Sequence, residues 1–75
     1  MNAGELKRFV ARRPFVPIRI TLHAGDPIDV RHPENIIIRE HWVFVLDDPM
    51  PPIFFQPDMV VSVKLLRNGG ARRRP

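Results

Sequence analysis

Cysteine is missing from this 75-residue chain. With it go disulfides, thiol nucleophiles and the commonest zinc frameworks. Tyrosine is also absent, and threonine and serine occur once each, as Thr21 and Ser62. Neither lies in a strained nucleophile turn, and no glycine-rich phosphate loop precedes a helix. No enzymatic activity and no cofactor is therefore expected. Long apolar runs are lacking too. The longest unbroken one is Trp42 to Leu46, far short of the roughly 20 residues that cross a bilayer. Charges stand where a secretory apolar segment would lie, so no signal peptide is read. The expectation is a cytoplasmic protein without membrane contact.

What the chain has in excess is proline, nine residues in all. Eight of them fall between apolar runs, at Pro14 and Pro17, Pro27 and Pro33, and Pro49, Pro51, Pro52 and Pro57; the ninth is Pro75. A proline cannot donate to a β-ladder, so each group marks strand ends or edges. The apolar fraction of 44% argues against disorder over residues 3–67. A chain of this length makes one domain and buries only about 60–65% of its unfolded surface, so its stability margin is thin.

Residues 13–34 give the clearest fold signal. Ile18, Ile20 and Leu22 alternate with Arg19, Thr21 and His23, which sends one set to a core and the other to water. Ala24-Gly25-Asp26-Pro27 is a turn signal. Alternation then resumes with Ile28 and Val30 against Asp29 and Arg31. The hairpin sets Asp29 and Arg31 opposite Arg19 and Thr21, with about 0.2–1 kcal/mol available per good pair.

The remaining elements follow in order. Residues 3–12 read as a helix capped by Asn2, with Glu5 completing a capping box and Leu6, Phe9 and Val10 forming an apolar stripe. Pro14 stops it. Three isoleucines in Asn35–Glu40 favour a strand. Glu40-His41 turns into a second, Trp42–Leu46, with Trp42, Phe44 and Leu46 on one face. Both strands are apolar on two faces, and one face needs a cover: the helix, the proline-rich loop or another copy of the chain. Residues 50–57 read as an extended loop with Ile53, Phe54 and Phe55 as a short edge segment. The last strand is Met59–Leu66, with Val61, Val63 and Leu65 on one face. Residues 1–67 form the domain, and 68–75 are a basic tail.

The fold class expected is mostly β with one N-terminal helix. The five strands form a small, strongly bent antiparallel sheet or an open barrel. The alternative is a helix packed on an open four-stranded antiparallel sheet.

Arg13-Pro14-Phe15-Val16-Pro17-Ile18-Arg19-Ile20 and Val30-Arg31-His32-Pro33-Glu34 resemble segments of a group of small bacterial proteins with no established activity. The resemblance covers about the first half of the chain and implies a fold and a bacterial origin. The chain departs from the group at the turn, where Ala24-Gly25-Asp26 replaces an acidic-glycine order. The order of elements also resembles the Sm-like barrel. Leu66-Arg67-Asn68-Gly69 looks like the Arg-Gly motif of RNA-binding Sm-like proteins but follows the last strand. Their Asp/Asn motif is absent, so RNA binding is not carried over by residues.

The net charge of +4 is unevenly placed. Lys7, Arg8, Arg12 and Arg13 outweigh Glu5 in the first segment, and Arg72, Arg73 and Arg74 make the tail basic. Pro14 to Arg67 holds five cations against seven carboxylates, or −2. Lys7, Arg8, Arg12, Arg72, Arg73 and Arg74 are the candidate phosphate contacts, with salt-dependent, sequence-independent binding of RNA or DNA as the outcome. His23, His32 and His41 recur on different elements and read as surface imidazoles rather than metal ligands. Adjacent Asp47 and Asp48 point apart and read as turn formers. Trp42, Phe44, Ile53, Phe54 and Phe55 are the candidate interface. The leading expectation is a non-enzymatic module that associates with itself or another protein. The second is a nucleic-acid-binding barrel that uses the basic helix face and tail.

Overall fold

A computed structural model describes residues 1–66. The expected tail at 68–75, with Arg72, Arg73 and Arg74, lies outside the described residues. Helix α1 spans Ala3–Ala11. Six strands follow: β1 (Ile18–Leu22), β2 (Ile28–Val30), β3 (Ile36–Ile38), β4 (Val43–Val45), β5 (Ile53–Phe55) and β6 (Val60–Leu65). They make two antiparallel three-stranded sheets, ordered β2-β1-β6 and β3-β4-β5.

The first sheet follows the hairpin pattern. Ile18 pairs with Val30, Arg19 with Asp29 and Ile20 with Ile28. Ile18, Ile20, Ile28 and Val30 are all buried, and Gly25 takes the positive φ that the turn requires. The helix begins as expected. The Asn2 side chain accepts from the Glu5 backbone N–H at 2.8 Å, and the Glu5 carboxylate accepts from the Asn2 N–H at 3.0 Å. Leu6 is fully buried in the shared core, with Phe9 and Val10 packed against that core. α1 lies against β3.

Three expectations are corrected. The strands form neither one five-stranded sheet nor an open four-stranded one, but six strands in two sheets. Ile53–Phe55 is a full partner of β4 and lies at the edge of its sheet. Pro51, Pro52 and Pro57 flank this segment without entering it, which leaves three residues able to pair. The ladder is interrupted between β2 and β3, where His32 leads into a 3-10 turn at Pro33–Asn35. The third correction concerns β6. Thr21 pairs with Ser62 but Leu22 pairs with Val60, so Val61 is skipped as a bulge. The extra residue reverses the alternation, burying Val60 and exposing Val61.

The two sheets differ in what they turn outward. The first presents Arg19, Thr21, Asp29, Ser62 and Lys64, while the second presents Ile37, Phe44 and Phe54. Their inward sides meet in one core that includes Leu6, Ile36, Ile38, Val43, Val45, Phe55 and Val60.

Candidate interaction surface

The outward row of the second sheet is set by strand register. Ile37 stands opposite Phe44, and Phe44 opposite Phe54. Their neighbours along each strand point inward, where Ile36, Ile38, Val43, Val45 and Phe55 are buried. Trp42 lies two residues before Phe44 and shares its face. The Arg39 N–H donates to the Trp42 carbonyl at 2.8 Å and closes the β3–β4 turn. Trp42 and Phe54 have ring centroids 5.9 Å apart at 60°, and Phe44 and Phe54 are 6.1 Å apart at 38°. Tilted pairs at such distances contribute about 0.5–1.5 kcal/mol beyond area burial.

This cluster stands in water. Phe54 is 67% exposed, Trp42 43%, Ile37 40% and Leu46, next along the β4 face, 47%. Helix α1 packs toward the core side of β3, where a surface depression joins Lys7, Val10 and Ala11 to Ile36 and Ile38. It leaves the Ile37 side open.

The five aromatic and apolar candidates therefore divide. Trp42, Phe44 and Phe54 form one surface. Phe55 is only 2% exposed and belongs to the core. Ile53 shares its strand face and lines a 340 Å³ cleft with Ile28, Asp29, Asp47 and Met50. Sequence reasoning left Ile37 among three isoleucines without assigning its side. Period-two alternation anchored on Val43 and Val45 would have placed it outward.

The helix cations also divide. Arg8 and Arg12 line one flank of α1 with Glu5 and Phe9, whereas Lys7 lines the other with Arg13. They do not make a single basic face. His23, His32 and His41 are exposed and scattered, and among the described residues no group of side chains is arranged to hold a metal ion. His41 lies 3.9 Å from the Glu40 carboxylate. Asp47 accepts from the Asn35 side-chain amide at 3.4 Å, which suits a turn-forming role.

The expected cross-strand ion pair is present in bidentate form. Arg19 donates to Asp29 through Nε at 2.8 Å and Nη2 at 3.1 Å, and Arg31 approaches the same carboxylate at 3.6 Å. The hydrogen bonds from Arg19 hold the Asp29 carboxyl below its ordinary range, against a smaller desolvation effect, and the nearby positive charges of Arg19 and Arg31 add to the lowering. The same bonds raise the Arg19 guanidinium.

Among the described residues, no helix is long and apolar enough to cross a membrane. The chain matches no family model, no curated protein and no solved structure.

Proposed function

We propose that this protein is a non-enzymatic interaction module that associates with a second copy of itself through the outward face of β3-β4-β5. The observation that carries this reading is the contiguous apolar row of Ile37, Phe44 and Phe54 with Trp42 beside it. Phe54, Trp42, Ile37 and Leu46 leave about 400 Å² of apolar side chain in water, taking about 200 Å² for a whole aromatic side chain. Patches of about 300–600 Å² are the largest on ordinary monomers and are often functional. At the roughly 60% apolar content of protein interfaces, such a core fits a footprint of about 700 Å² per partner. That is close to the roughly 800 Å² of a standard interface. A two-fold pairing of the same face suits this geometry, because it lets one apolar surface cover itself.

The reading extends to the fold family. If β2 and β3 are taken as two halves of one strand bent at residues 31–35, the chain has five strands behind an N-terminal helix, and we propose the Sm-like order on that ground.

Sedimentation equilibrium across 1–200 µM, about the range in which modest interfaces form, tests the association. A concentration-dependent rise toward twice the 8.7 kDa chain mass is expected. A single monomer mass throughout overturns the reading.

A further inference from the structure

The only threonine and the only serine of the chain lie directly opposite each other, Thr21 on β1 and Ser62 on β6. Two residues along the same strands, Arg19 stands opposite Lys64. All four side chains lie on the outward face of the first sheet. Strand geometry sets them at the corners of a rectangle about 5 Å across the ladder and about 7 Å along it. Like charges directly opposite in a ladder destabilise it. Among the described residues, no carboxylate lies within ion-pair distance of Lys64. Arg19 is held by Asp29 through Nε and Nη2, and this leaves the Nη1 N–H pair available. The surface thus keeps an unfavourable cation pair beside the chain's two hydroxyl side chains. The Val61 bulge directly beyond Ser62 shifts the register there before pairing resumes at Leu22 and Val60, an irregularity of the kind that re-aims side chains next to functional sites.

We infer that this rectangle is a phosphate-binding site, in which Arg19 and Lys64 neutralise the oxyanion and the Thr21 and Ser62 hydroxyls donate to its oxygens. Asp29 fixes the Arg19 guanidinium and places a carboxylate at the edge of the site. Arg31 also approaches Asp29, at 3.6 Å, so among the described residues Arg19, Arg31 and Lys64 outweigh Asp29 on this face. The ligand chemistry is a phosphoryl group, supplied free, on a monoester or in a nucleic-acid backbone. The site differs from the helix and tail cations, which a purely charge-based search singles out.

The test is amide chemical-shift titration of the full chain at constant ionic strength. The probes are inorganic phosphate, a single-stranded oligonucleotide and, as control, chloride. Concerted shifts at Arg19, Thr21, Ser62 and Lys64 with phosphate but not chloride are expected. Lys64→Gln and the double change Thr21→Val with Ser62→Ala should each weaken binding by about threefold to tenfold, the scale of an exposed charge-assisted contact. Shifts at the same amides with both phosphate and oligonucleotide support a site that accepts a backbone phosphodiester. Shifts with phosphate alone support a small phosphate ligand. Silence at these four amides with phosphate or equal shifts with chloride overturns the assignment, as does unchanged affinity in Lys64→Gln. Because the site lies on the first sheet, its failure leaves self-association through the second untouched.

Discussion

Replacing Phe54 with serine is the most direct test of the outward face of β3-β4-β5. Phe54 is 67% exposed in the single chain, so about 130 Å² of its side chain is available for burial. At about 25 cal/mol per Å², covering it contributes about 3 kcal/mol. In a two-fold interface each residue acts twice, so the gross contribution is about 6 kcal/mol per dimer. Association also carries ordering and desolvation costs, and half of that gross value is a fair realised share. About 3 kcal/mol corresponds to roughly a hundredfold rise in Kd. The fold should lose about 1–3 kcal/mol, since the change removes the tilted contacts to Trp42 and Phe44, about 0.5–1.5 kcal/mol each. Sedimentation equilibrium reports the Kd, and a thermal melt of the same samples reports the fold. A Phe54→Ser protein that dimerises as tightly as the parent refutes the reasoning, because no other side chain on that face exposes as large a fraction.

Other changes separate the core, the cap and the ion pair. Phe55→Ala removes a 2%-exposed side chain and should cost about 3–5 kcal/mol, enough to unfold much of a domain this small; urea denaturation followed by circular dichroism measures it. Asn2→Ala removes the side-chain acceptor of the Glu5 N–H and leaves the residue-2 backbone N–H to donate to the Glu5 carboxylate; it should cost about 1 kcal/mol, seen as a lower urea midpoint with unchanged slope. Asp29→Asn should lower Tm at neutral pH and reduce its dependence on acid. The Asp29 carboxyl is depressed in the folded state, so its stabilisation is present above the ordinary carboxyl range and is lost as pH falls through the lower folded value. Melts taken from pH 7 down to about 2 span that window, and parallel curves for the two proteins would dismiss the pair as a contributor.

The hairpin was legible because three signals agreed: alternation at Ile18, Ile20 and Leu22, a turn at Gly25, and opposite charges at Arg19 and Asp29. The capping box was legible for the same reason, since Asn2 and Glu5 satisfy each other without help from the rest of the fold. Legibility failed where an outcome depended on partners distant in sequence. Phe54 and Phe55 are identical neighbours, yet one is exposed and the other buried. Only the register against Val43 and Phe44 decides between them. The proline-rich surroundings make Ile53–Phe55 look like an edge segment of an extended loop, although each proline withholds only its own position from the ladder and leaves these three residues to pair with β4. The β6 bulge was hidden because one skipped residue cannot be told from uninterrupted alternation in a run as uniform as Val60-Val61-Ser62-Val63.

The same dependence on register explains why the two outward faces have opposite chemistry. In the first sheet the inward positions take all the isoleucines and leave Arg19, Thr21, Asp29, Ser62 and Lys64 outside, a surface that hydration satisfies. In the second sheet the outward positions are themselves apolar, although β3, β4 and β5 already bury Ile36, Ile38, Val43, Val45 and Phe55 inward. A strand needs only one apolar face to hold a two-sided domain together. The outward Ile37, Phe44, Phe54 and Trp42 therefore add nothing to the core. Exposed in this way they raise the risk of nonspecific association, a risk that a defined partner on that face removes. Threonine or lysine at positions 37, 44 and 54 would keep the inward core intact and give up only the surface aromatic contacts. If such a triple substitution leaves the single chain folded, with a midpoint lowered only by the loss of the tilted aromatic contacts, while abolishing dimer formation, the apolar residues there serve association. If it unfolds the chain, they are needed for the fold, and the interface must be sought elsewhere.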